Sequence, residues 1–212
     1  MKIEIAGIKF PIKLNLQQAK LEGTIPAELV MGEMRRELDE YDGYKIKDTK
    51  YNRWKIKDID IKSLTQGGVK ISLSLNLKKR EKIATVFEKT HYTPWVSVTL
   101  NGTADFGVAI KENLVDINYR SHNIKGQGWY EDIVEVLAND IFRKEIAKSL
   151  EKALSQFDGA EITSFLKKGK LIESKGINLS LRDLLKNTST SASISSDGVD
   201  FVIHLPKELK FT

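Results

Sequence analysis

Cysteine is absent from the chain. Disulfides, thiolate nucleophiles and Cys-ligated zinc are therefore excluded, and no redox compartment can be read from thiol usage. Only 4 prolines punctuate 212 residues. No run approaches the roughly 20 apolar residues that a membrane-spanning helix needs. The N-terminal MKIEIAGIKF carries neither a long apolar stretch nor a small-residue cleavage site. The chain is expected in the cytoplasm as written, or exported if a leader has been removed.

Catalytic signatures are also missing. There is no G-x-S-x-G and no Walker A sequence, and Gly126-Gln127-Gly128 lacks the third glycine of a dinucleotide-binding turn. His91, His122 and His204 lie far apart, and none has a metal-ligand partner at i+2 or i+4. Asp58 and Asp60 share one face of an expected strand, where two solvated carboxylates are the simpler reading than a shared cation. No enzyme, metal or cofactor is therefore expected. An enzymatic reading would need a site assembled from scattered Asp, His and Lys.

Hydrophobic residues make up 41% and charged residues 30%, enough to build a core and too apolar for global disorder. The length suits a single domain spanning 1–212. The excess of 34 basic over 29 acidic residues gives +5, which assists contact with an anionic surface without requiring one.

Two-residue alternation dominates the first two thirds. Ile8, Phe10, Ile12, Leu14 and Leu16 are apolar in every second position, with Pro11 on the polar phase, favouring an edge strand or bulge there. Trp54, Ile56, Ile59 and Ile61 change phase, which predicts a bulge near Lys57-Asp58. Gln66-Gly67-Gly68 reads as the turn of a hairpin into Val69, Ile71, Leu73, Leu75 and Leu77. Residues 78 to 94 read as polar and irregular, broken by Thr93-Pro94. Val96, Val98 and Leu100 keep phase with Ala104, Phe106, Val108 and Ile110 across Asn101-Gly102, which predicts one long bent strand. Glu112-Asn113 turns it into a further strand from Leu114 to Ile124.

Two helices interrupt the alternation. Pro26 to about Tyr41 carries the stripe Val30, Met34, Leu38 and Tyr41. Tyr130 to Phe157 carries Ile133, Leu137, Ile141, Ile146, Leu150, Leu154 and Phe157, widened by Val134, Ala138, Phe142, Ala147 and Ala153. A short helix is expected from Ile162 to Lys168. Leu171 and the stretch Ile177 to Leu185 mix short strand and helix signals. Residues 186–197 read as a mobile Ser/Thr-rich loop, and Gly198 opens a last strand through Leu205.

The fold class implied is α+β: a strongly curved antiparallel sheet wrapped around the long helix of the C-terminal half. Amphipathic strands must bury one face, and the long helix with its wide apolar side is the natural filler. An imperfectly packed seam between the two is a cavity for an acyl chain. By phase, its lining is expected from Leu73, Leu75, Val98, Phe106, Val108, Ile141 and Leu150, with Phe142 widening the helix side.

The segment from Tyr44 to Ser63 carries Lys45, Lys47, Lys50, Arg53, Lys55, Lys57 and Lys62 against three Asp, with Tyr44, Tyr51 and Trp54 interleaved. A solvated outer sheet face is one reading. Contact of Lys45, Lys47 and Lys55 with an anionic membrane surface is the sharper one. No nucleic-acid-binding motif accompanies them, and no nucleic acid is expected.

In pattern, the chain resembles the tubular lipid-binding (TULIP, bactericidal/permeability-increasing-like) superfamily. The resemblance is carried by GIKFPIKLNLQQAKLEGTIPAELVMGEM, a strand followed by a helix, and by VSVTLNGTADFGVAIKENLVDINYRSHNIKG feeding WYEDIVEVLANDIFRKEIAKSLEKAL. It implies binding of a lipid or another elongated apolar ligand in the groove between helix and sheet. The alternative is a non-enzymatic protein-interaction module with a solidly packed core.

Overall fold

The computed structural model describes residues 1–87, 89–111, 114–124, 131–173, 184–186 and 188–206. The expected turn at Glu112-Asn113, the Gly126-Gln127-Gly128 lead-in, Tyr130 and the signals from Ile177 to Leu181 lie outside them. The fold is α+β, with antiparallel pairing in every described strand pair and a sheet curled into a half-barrel.

The N-terminal residues form β1 (Lys2–Ile5), β2 (Ile8–Asn15) and β3 (Lys20–Pro26). Pro11 lies on neither an edge strand nor a bulge. It sits where β2 passes from pairing with β1 to pairing with β3. Ile12 donates its N–H to the Met1 carbonyl at 3.0 Å. Successive N–H groups of a strand point to opposite sides, so the Pro11 nitrogen faces β3, whose pairing begins only at Ile12. The missing donor therefore costs no ladder bond.

Helix α1 (Ala27–Leu38) starts directly behind Pro26 and tightens into a 3₁₀ turn over Asp39–Tyr41. Its stripe of Val30, Met34, Leu38 and Tyr41 is buried. Strand β4 (Lys45–Asp48) leads to β5 (Asn52–Thr65), and the register of β5 against β6 (Gly68–Lys79) slips between Ile56 and Asp58, at the expected bulge. Gln66 and Gly67 make the hairpin loop, with Gly67 at φ +63°, a conformation that glycine adopts without strain.

Residues 82–92 are not irregular. They form a second hairpin of β7 (Lys82–Val86) and β8 (Lys89–Tyr92), a two-stranded ribbon of its own. Polar alternating residues supply no apolar period to read, and cross-strand backbone bonds fix the ribbon instead.

Strand β9 (Val96–Lys111) runs unbroken through Asn101-Gly102 and pairs with both β6 and β10 (Leu114–Ile124). Gly102 is needed there: a Cβ would lie 2.6 Å from the Asn123 carbonyl oxygen and from the Ile124 side chain. The five strands align as β10-β9-β6-β5-β4.

The long helical run extends from Glu131 to Phe157. It comprises α2 (Glu131–Val136), a π-helical middle over Leu137–Ile146, α3 (Ala147–Leu154) and a 3₁₀ turn over Ser155–Phe157. Its apolar series is spaced four, four, five, four and four from Ile133 to Leu154. The five-residue step, Ile141 to Ile146, falls inside the π segment, whose i→i+5 bonding lets one extra residue pass without turning the buried stripe outward. Helix α3 lies against β10 and against α1. The Tyr41 and Ser149 hydroxyls hydrogen-bond at 3.1 Å, and Lys152 pairs with Glu37.

A short helix, α4 (Glu161–Lys167), stands where expected, capped by the Asp158 carboxylate accepting from the N–H groups of Ala160 and Glu161 at 2.9 and 2.8 Å. Strand β11 (Lys170–Glu173) pairs with β1. Ser189–Ser195, expected within a mobile loop, is strand β12, joined by a two-residue turn to β13 (Gly198–His204). Small hydroxyl side chains mask its pattern, but Thr190 and Ile194 are buried and the partner strand supplies the ladder. The second sheet runs β11-β1-β2-β3-β13-β12. Its last strand meets the first sheet where Gly67 N–H donates to the Ile194 carbonyl at 3.2 Å.

Candidate functional site

Strand β10 and the first half of the long helix do not close completely. A cavity of about 420 Å³ opens between them. Its apolar wall is Ile124 from β10 with Val134 and Ala138 from the helix, all buried. Its rim is polar: Tyr119 and His122 from β10, Glu135, Asn139 and Arg143 from the helix. Residues 135, 139 and 143 recur every four positions, so the outer edge of the helix's apolar stripe supplies the rim.

Tyr119 organises the opening. Its hydroxyl hydrogen-bonds to His122 Nδ1. The Arg143 guanidinium lies 5.5 Å from its ring centre, within cation–π range. Beneath it, the rings of Phe106 and Phe142 each lie 5.9 Å away. Burial pushes the Tyr119 phenol above its ordinary range, partly offset by Arg143, so the hydroxyl is protonated at neutral pH. The opening thus combines the Arg143 cation and the Glu135 carboxylate with an amide, a phenol and an imidazole above an apolar wall, an arrangement that suits an amphiphile with a polar, hydrogen-bonding head. The volume lies within the roughly 300–1,000 Å³ of small-molecule sites.

The residues expected to line the groove occupy the layer below. Leu73, Leu75, Phe106, Val108, Ile141, Phe142 and Leu150 are buried in one continuous core, and Val98 is half-buried against it. None of them lines the β10–helix cavity. Glu135, Asn139 and Arg143 escaped the sequence reading because they fall at the polar edge of the helix stripe, whereas Tyr119 shares the apolar phase of Val115 and Ile117 and His122 was weighed only as a metal ligand. The one available signal was the i, i+4, i+8 spacing of Glu135, Asn139 and Arg143.

Lys45, Lys47 and Lys55 do come together. They line a second depression, of about 210 Å³, with Arg53, Lys78 and Trp54. Strand pairing sets Lys45 opposite Lys55 and Lys47 opposite Trp54. The Lys47 ammonium stands 4.5 Å above the Trp54 ring centre. The Trp54 indole N–H is buried without a hydrogen-bond partner. Asp48 pairs with Lys45 at 3.2 Å and Arg53 at 3.3 Å, leaving positive charge in excess. Tyr44 packs instead against Tyr41, and Tyr51 against Tyr92.

Of the residues weighed for metal or catalytic chemistry, Asp58 and Asp60 lie two apart and exposed on β5, and the histidines are dispersed. Asp60 is bound to Arg35 of α1 at 2.6 Å. His91 lies on β8, His122 on β10 and His204 at the end of β13.

No protein-family model and no curated protein matches the chain. Among solved structures, the chain is similar to one described as a lipopolysaccharide binding protein, at 12% identity and a TM-score of 0.22. The match takes in 85% of this chain and 46% of that one, so the chain spans less than half the length of its structural neighbour.

Proposed function

We propose that the protein binds a lipid or another elongated apolar molecule at the seam between β10 and the long helix, as a carrier or receptor module without catalysis. The observation that supports this reading is the open cavity with a buried wall of Ile124, Val134 and Ala138 and a polar, hydrogen-bonding rim that carries Arg143 and Glu135. Removing an acyl chain from water gains about 0.8 kcal/mol per methylene, which requires only an apolar wall. Arg143, Tyr119 and His122 would hold the head group and set the ligand's direction. In the full reading the half-barrel wraps the helix, and the ligand lies along its length above Phe106 and Phe142.

A second reading, a packed interaction module, draws on the close burial of seven expected groove residues. Titration with a fluorescent fatty acid separates the two. The seam reading expects saturable uptake, abolished by Ala138→Trp and weakened about tenfold by Arg143→Glu, a charge reversal at an exposed rim position. Absence of uptake by the folded wild-type protein favours the packed module.

A further inference from the structure

The hairpin of β7 and β8 belongs to neither large sheet. Its turn carries Phe87, which is 96% exposed, the highest value among the large apolar side chains described. Ile83 on β7 is 65% exposed and Val96, at the root, 56%. Single exposed apolar residues are ordinary, but a phenyl ring held outward at the apex of a ribbon has no water-facing purpose.

The root is built to hold the ribbon in place. The Arg80 guanidinium lies 4.2 Å from the Tyr92 ring centre and 4.5 Å from that of Trp95, and Arg80 Nε donates to the Lys50 carbonyl at 2.7 Å. Thr93 N–H donates to the Glu81 carbonyl at 2.9 Å, while Glu81 N–H donates to Thr93 Oγ1 at 2.8 Å. Arg53 covers Trp95 at 4.7 Å, linking the root to the basic depression around Trp54. Charge is one-sided: Lys78, Lys79, Arg80, Lys82 and Lys89 stand against Glu81 and Glu88 in the sequence from 78 to 92.

We propose that this end of the molecule docks on an anionic phospholipid bilayer, with Phe87 entering the interface and Ile83, near Tyr92 at the root end of the ribbon, resting at headgroup depth. A five-residue strand reaches about 16 Å. Interfacial elements bury roughly 5–10 Å into the headgroup and acyl boundary, so the tip inserts while Tyr92 and Trp95 stop at headgroup depth. The lysines of the ribbon and the depression then face lipid phosphates. A convex apolar tip with Lys89 beside it and the other cations gathered at the root suits a deformable anionic surface rather than a preformed protein pocket. The inference extends the lipid-directed reading to delivery, yet the two fail separately. The cavity is walled by Ile124, which pairs with Gly102, about 20 Å along β9 from Val96 at the hairpin root.

Because the chain lacks cysteine, Phe87→Cys offers a unique position for an environment-sensitive nitrobenzoxadiazole label. Vesicles of phosphatidylcholine with phosphatidylglycerol should shift its emission to the blue, and lipids spin-labelled in the acyl chain should quench it. Phosphatidylcholine alone should do neither. Sedimentation of the unlabelled protein with anionic vesicles should weaken about tenfold in Phe87→Asp and also with added salt. Three results would overturn the proposal: no sedimentation with anionic vesicles, sedimentation unchanged in Phe87→Asp, or emission unmoved when the protein is bound. Concentration-dependent self-association lost in Phe87→Asp would assign the tip to a second copy of the chain instead. Ala138→Trp, placed in the seam, should leave vesicle binding unchanged.

Discussion

Tyr41 and Tyr119 are both phenols held at the edge of the core, and burial raises the pKa of each above the ordinary value of 10.0. For Tyr41 the largest effect is burial, opposed by the Ser149 hydrogen bond. The sign follows from linkage. The unfolded phenol ionises near its ordinary value, while the folded one stays neutral to higher pH. The stability this group contributes is therefore intact below about pH 10 and lost as pH rises through the folded value. Tyr41→Phe removes the hydroxyl bridge to Ser149 and should cost about 1 kcal/mol at neutral pH. It should also flatten the alkaline fall in stability, measured as denaturant midpoints across the pH range. At the same scale, the basic residues were legible in the sequence and the rim was not. Lys45, Lys47 and Lys55 lie on adjacent strands of one hairpin, where alternation and short range bring them together. Tyr119, His122 and Arg143 come from two elements whose meeting depends on tertiary packing, which no local period encodes.

Helix continuity is the test at the level of elements. The run from Glu131 to Phe157 keeps one buried side across a change of winding, and its later half is anchored by Leu150, which has no exposed surface. Leu150→Asp should cost several kcal/mol, because a carboxylate would enter a layer with nothing to pair it. Urea denaturation monitored by circular dichroism measures this. Lys148→Asp, two residues earlier and on the opposite, exposed side of the helix, should stay near wild type. The helix, the continuous β9, the Gln66-Gly67 hairpin and the slip at Lys57 were readable because each has a clear apolar phase. The β7–β8 ribbon and β12 were not, since STSASIS and KIATV carry few large apolar side chains in alternation. Strands β1 and β3 were missed for a related reason. They are short, and Gly23 in β3 interrupts the pattern while admitting the Phe201 ring, which a Cβ would approach to 3.1 Å. The π segment was visible as a five-residue step, but a stripe read only for its apolar content hides its spacing.

The whole molecule sets a curled antiparallel sheet beside a long helix, with an incompletely closed seam on the β10 side and a basic, aromatic end carrying an exposed hairpin tip. A seam that holds a lipid should retain it through gentle purification, since an acyl chain of ordinary length leaves water at roughly 0.8 kcal/mol per methylene. The most direct test is native mass spectrometry of freshly purified protein, paired with solvent extraction and lipid analysis. The expected result is a population heavier than the chain by the mass of a fatty acid or phospholipid. Extraction should recover that molecule, and folded Ala138→Trp should lack it. Protein that runs only at the bare chain mass, takes up no added fatty acid and behaves identically in Ala138→Trp would contradict the seam as a binding site.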